Sequence, residues 1–151
     1  CLRDAASVFH SMTRVRPRAV PSPKDLAILW SHECLRVFCD RLVEEDTEEF
    51  LNVLSDLLRT QVKFTGKWKP NQHVALRWGS FLNRDPSARE YQNLEDEDAL
   101  KTALLDYLEE HDLTVQPPGT PLKLILFPDA VDHVCRILRP CSQARGHALL
   151  I

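Results

Sequence analysis

The chain has 151 residues, 44% hydrophobic and 27% charged, with a formal net charge of −3; it is long enough to bury a sizeable core, about 70% of its unfolded surface, and too apolar for a disordered tail. No run approaches the ~20 apolar residues of a membrane span, and the first residues do not read as a charged-then-apolar leader. Five cysteines leave an odd thiol under any full pairing, which points to a reducing compartment.

Charge is unevenly placed. Residues 59–84 carry six basic side chains and no acidic one, between strongly acidic stretches at 40–56 and 90–112. These blocks can offset one another in the fold.

Residues 2–12 place Ala5, Val8, Phe9 and Met12 at helical spacing, with Asp4 in the first turn. After Pro17 and the Pro21-Ser-Pro23 cluster a second helix is expected, with Ser22 as N-cap and Pro23 at N1. Its stripe runs through Leu26, Leu29, Trp30, Cys34, Val37, Phe38, Arg41 and Leu42, about 25 Å at 1.5 Å per residue. Asp46-Thr-Glu-Glu49 has capping-box spacing ahead of a third helix carrying Phe50, Leu51, Val53, Leu54, Leu57 and Leu58. The short connection makes helices two and three antiparallel neighbours.

Residues 62–85 lose helical period. They mix Lys63, Lys67, Lys69, Arg77 and Arg84 with Phe64, Trp68, Trp78 and Phe81, the composition of a single-strand nucleic-acid platform. The preferred reading is a connection whose aromatics pack on the next subdomain, because acidic segments flank it; nucleic acid is disfavoured as a partner. A last acidic helix over 95–112 has Ala99, Leu100, Ala103, Leu104, Tyr107 and Leu108 on its apolar face. Its paired carboxylates, Asp96 with Asp98 and Glu109 with Glu110, read as a solvated face rather than acid/base machinery.

Gln116-Pro-Pro-Gly-Thr-Pro121 turns the chain into Leu122-Lys-Leu-Ile-Leu-Phe127, expected to be a buried strand. A helix then follows from Pro128, with Val131, Val134, Cys135 and Leu138 on one face and Arg136 and Arg139 near its end. After Gly146 a second apolar run, 148–151, reads as another strand. It fits both an ordinary buried strand at a natural C-terminus and the entrance to a nucleotide-binding α/β unit. Gly66, Gly79, Gly119 and Gly146 are too scattered to make a phosphate loop. With no initiator methionine at Cys1, the chain is expected to be a fragment cut at both ends.

Two histidine and cysteine groups invite a metal: His32-x-Cys34 with Cys39, and His133-x-Cys135 with Cys141. On a helix Cys34 and Cys39 point about 140° apart, so zinc ligation is disfavoured.

Leu29-Trp-Ser-His-Glu-Cys-Leu-Arg-Val-Phe-Cys-Asp-Arg-Leu42 resembles the dynein heavy-chain pattern L-W-x-H-E-x-x-R-V-F-x-D-R-L. Phe127-Pro-Asp-Ala-Val-Asp-His-Val-Cys-Arg136, with Arg145-Gly-His-Ala-Leu-Leu150, is similar to the segment that leads into the phosphate loop of that family's fourth AAA+ module. Leu76-Arg-Trp-Gly-Ser-Phe-Leu82 resembles the family's L-x-Y-G-D-F-M. Three departures stand out: Ser80 for Asp, His147 for Asn, and Pro140-Cys141 at a helix end.

The resemblance is nearest the axonemal type and implies a mainly α fold with a minor β component. Residues 1–61 would be the helical end of the third AAA+ module's small subdomain, 62–75 a connecting segment, and 76–151 the incomplete start of an α/β large subdomain, before the P-loop. It implies Arg3 as a sensor-2-type residue reaching toward nucleotide, the alternative being a solvated first-turn arginine. It also implies Trp78, Ser80 and Phe81 as candidates for the mouth of a nucleotide pocket. The complete family protein uses ATP/ADP and Mg to move along microtubules, with neighbouring AAA+ modules and dynein complex subunits as partners, in the cytoskeleton or the axoneme of a cilium. Without Walker A and Walker B, this chain alone is expected to be inactive and to bind no cofactor or metal of its own.

Overall fold

The computed structural model describes residues 1–64, 76–114, 121–143 and 146–148. They form five helices: α1 (Leu2–Met12), α2 (Pro23–Phe38), α3 (Glu44–Thr60), α4 (Glu97–Thr114) and α5 (Pro128–Cys141). The two strands, β1 (Trp78–Gly79) and β2 (Gln92–Asn93), pair antiparallel with Trp78 opposite Asn93. The fold is mainly α, and the chain divides into compact units at residues 1–76 and 77–151.

In the first unit, α2 begins where the cap chemistry places it. Ser22 Oγ accepts from the Asp25 amide at 3.3 Å, and the Asp25 carboxylate accepts from the Ser22 amide at 3.2 Å. Pro23 needs no amide partner at this position. Val8 of α1, Cys34 and Leu35 of α2 and Leu54 of α3 form the core, with Met12, Trp30, Phe38 and Phe50 packed around it. Arg41 ties the turn after α2 back to Asp4 of α1 at 3.2 Å.

The helical stripes are narrower than expected. Phe9 is 61% exposed and Val53 53%, because α1 and α3 bury only Val8 with Ser11 and Leu54 with Leu58. Helix α2 stops at Phe38 and tightens into a 3-10 turn, Cys39–Arg41, which rotates Leu42 off the stripe to an exposed position. Helix α3 starts at Glu44 with Val43 as N-cap, so Asp46 is a first-turn acid rather than a cap. Three acids there suit the macrodipole without any side-chain cap. At its far end Lys63 adopts a left-handed φ of 52°, which turns the chain out of the helix.

The second unit packs α4 against α5 through Leu94, Leu100, Leu104, Val131 and Cys135. Asp96 accepts from the Ala99 amide at 2.9 Å at the start of α4. The strand expected at 122–127 does not form: Leu122, Leu124, Ile125 and Phe127 are exposed, and only Leu126 packs against the core. A strand needs a partner edge for its backbone groups, and the only ladder among the described residues is two residues long. The backbone bonds locally instead, from Leu124 N to Leu122 O and from Phe127 N to Ile125 O. Of the last apolar run, Ala148 is exposed and outside any strand, while 149–151 lie outside the described residues, as does most of the connecting segment 62–75.

Gly79 sets how closely β1 can be approached. A Cβ there would lie 2.7 Å from the Phe81 ring and 2.9 Å from Leu94 Cδ1. Gly79→Ala is therefore expected to destabilise the second unit by about 1–3 kcal/mol, the usual cost of overpacking. Urea unfolding followed by tryptophan fluorescence measures it, and an unchanged midpoint would show that Phe81 simply moves aside.

Candidate functional site

The polar centre of the second unit is Arg77, 6% exposed. It immediately precedes β1 and its carbonyl accepts from Leu94 N at 2.9 Å. Its Nε donates to the Asp132 carboxylate on α5, and its Nη1 reaches Glu97 Oε1 at the start of α4 at 3.3 Å. Burial opposes the charge, yet Asp132 and then Glu97 outweigh it and hold the guanidinium above its ordinary pKa. One side chain thus joins β1, α4 and α5.

Beside it Trp78 is buried against Tyr91, ring centroids 6.0 Å apart. Next to β1 lies a cleft of about 230 Å³, whose lining includes Ser80, Phe81, Arg89, Tyr91, Leu138 and Arg139. Its wall is the segment between β1 and β2, pinned to α4. Tyr107 Oη donates to Phe81 O at 3.0 Å and accepts from Arg89 Nη2 at 3.3 Å, while Arg84 meets Glu110 at 2.6 Å. Arg89 also donates to the Asn83 and Arg84 carbonyls. Asp85 receives both the hydroxyl and the amide of Ser87, at 2.7 and 2.9 Å, which lowers its pKa.

The structure brings Ser80 and Phe81 together on the cleft and puts Trp78 in the packing behind it. Arg3 is exposed on α1, in the first unit. Sequence reasoning counted Arg77 and Arg84 only as members of a basic stretch and missed their carboxylate partners, which lie 20 to 55 residues away. Such pairings leave no local spacing signal. Of the described residues in the basic aromatic stretch, Arg77 and Trp78 are buried and Arg84 is paired with Glu110; Lys67, Trp68 and Lys69 lie outside the described residues.

In the first cysteine and histidine group His32 and Cys34 are buried, whereas in the second only Cys135 is, with His133 and Cys141 exposed. Cys34 is buried, and burial with the neighbouring Glu33 charge pushes its thiol up to about 12. His32 Nδ1 meets Glu33 Oε1 at 3.1 Å inside the same core. Among the described residues no three His, Cys, Asp or Glu side chains are grouped to hold a metal ion, and no helix is long and apolar enough to cross a membrane.

Residues 1–65 match the AAA+ lid domain family, which places the helical first unit in the AAA+ class. The whole chain is similar to axonemal dynein heavy chains. It is 39% identical over 152 aligned residues to dynein axonemal heavy chain 2 of Mus musculus and 37% to its Homo sapiens counterpart. It is 31% identical to the dynein-1-beta heavy chain of the flagellar inner arm I1 complex of Chlamydomonas reinhardtii. Each alignment covers 99% of this chain and 3% of the relative. The chain belongs to the dynein heavy-chain family.

Two expectations follow from this geometry. Asp132→Ala leaves the Arg77 guanidinium buried beside a single exposed carboxylate and is expected to cost about 3 kcal/mol. Arg77→Met with Asp132→Leu should recover more than half of that loss in a double-mutant cycle, and additive losses would show that the pair is not coupled. Second, Asp85 titrates below the ordinary value of 3.8 in the folded chain, so the turn it holds is favoured above that pH and weakens as pH falls through the lowered value. An NMR titration of the Ser87 amide should show a midpoint below 3.8; a midpoint above it would contradict the turn.

Proposed function

We propose that this chain is the junction in a dynein heavy chain where the lid subdomain of the third AAA+ module passes into the start of the fourth. Residues 1–61 are then the helical end of one module, 62–75 the connection, and 76–151 the opening of the next. The observation that carries this reading is the lid-domain match, which ends at residue 65 in a chain whose second compact unit begins at residue 77. The complete protein would be an ATP-driven microtubule motor of the axoneme, and this segment a structural link within it. Its immediate partners are the neighbouring AAA+ modules of the same heavy chain.

The described residues do not fit a triphosphate. Phosphate binding by backbone amides needs an open, glycine-rich loop at a helix N-terminus. The one glycine in the cleft, Gly79, has its Cβ space filled by Phe81 and Leu94, and α5 opens on Pro128, which has no amide hydrogen to offer. In this reading Arg3 reaches toward the nucleotide of the third module, and Ser80 and Phe81 stand at the mouth of the fourth module's pocket with Trp78 packed behind them. In this reading the described residues border two sites and hold the centre of neither.

Isothermal calorimetry of the purified chain with Mg·ATP tests this directly. No saturable heat is expected up to about 1 mM nucleotide, where binding free energy is only about −4 kcal/mol. Saturable micromolar binding would overturn the junction reading, and so would salt-sensitive submicromolar binding of single-stranded DNA.

A further inference from the structure

Three serines have an arginine three positions before them: Ser80, Ser87 and Ser142. That spacing is what basophilic serine/threonine kinases read, by pairing the arginine with carboxylates of their own. The fold separates the three. Ser80 is half-buried on the cleft, and its arginine is the buried Arg77. Ser142 caps α5, its hydroxyl donating to the Arg139 carbonyl at 2.9 Å. Ser87 is exposed in a segment, residues 83–89, in which every residue is exposed and none is in an α-helix or strand.

We propose that Ser87 is a phosphorylation site for a basophilic kinase, and that the phosphate releases the 81–91 segment from α4. The kinase would transfer the γ-phosphoryl group of Mg·ATP: the Ser87 Oγ–P bond forms as the P–O bond to ADP breaks, and the hydroxyl proton leaves to the kinase's own base. This inference does not depend on which dynein module the chain serves.

The unmodified hydroxyl donates to Asp85 at 2.7 Å. Phosphorylation removes that donor and sets about −1.5 to −2 units of charge against an ionised carboxylate, so the turn is repelled open. The nearest cations in sequence are Arg84 and Arg89, and both already hold the segment in place: Arg84 on Glu110, Arg89 on Tyr107 and on the Asn83 and Arg84 carbonyls. A phosphate is a stronger, bidentate acceptor than a carbonyl or a phenol. Whichever arginine turns to it, one tie to α4 is lost, and where it is Arg89 the wall of the cleft loses a side chain as well.

The test incubates the purified chain with Mg·ATP and the catalytic subunit of a cyclic-nucleotide-dependent protein kinase, maps phosphate by mass spectrometry and follows hydrogen exchange. Phosphate is expected at Ser87; Ser87→Ala should cut incorporation at least about tenfold and Ser142→Ala should leave it unchanged. In the phosphorylated chain the amides of 81–91 should exchange about tenfold faster, with those of Leu100 to Leu104 unchanged. No incorporation, or incorporation that survives Ser87→Ala, overturns the site. Phosphate on Ser87 with unaltered exchange overturns the release.

Discussion

The second unit depends on a guanidinium that has been taken out of water. Arg77 carries its charge at 6% exposure, which is tolerable only because Asp132 and Glu97 meet it from two helices. The pairing fixes more than charge. It sets where β1 lies relative to α4 and α5, and β1 in turn presents Gly79, against which Phe81 can settle. An apolar side chain at position 77 would fill the space but would not specify the two helices that must converge on it.

The first unit is specified differently, by apolar contact among α1, α2 and α3 around Val8, Leu35 and Leu54. Two of its buried polar side chains have partners close by in sequence: Ser31 donates to Ala27 O one turn back, and His32 meets its neighbour Glu33. The match to the AAA+ lid domain falls on this unit.

What could be read from the chain alone follows the same division. The bounds of α1, the Ser22 and Pro23 start of α2 and the course of α5 were all legible, because cap chemistry and 3.6-residue spacing act within a few positions. The dynein relationship was legible too, through ordered runs such as Leu29 to Leu42. Two kinds of feature were not. Stripe width was overread at Phe9, Val53 and Leu57, since a helix at a surface leaves apolar positions outward even when spacing is ideal. The strand at 122–127 was overread because pattern reports the propensity of a segment and says nothing of whether an edge stands beside it. The polar ties of the cleft wall, from Arg84 to Glu110 and from Tyr107 to Phe81, span 26 residues each and have no local signature.

The second half of α4 carries an unusual share of what is not helical. Tyr107 and Glu110 hold the segment that precedes the helix, and Asp112 accepts from the amide of Leu122 at 3.0 Å in the stretch that follows it. These anchors fall within six positions, at the end of a helix where fraying begins. If the last turns of α4 unwind together, the cleft wall and the apolar stretch at 122–127 come loose in the same event. The unit then opens as one cooperative piece from that end, while Leu100 and Leu104, nearer the helix start, stay packed against Val131 and Cys135.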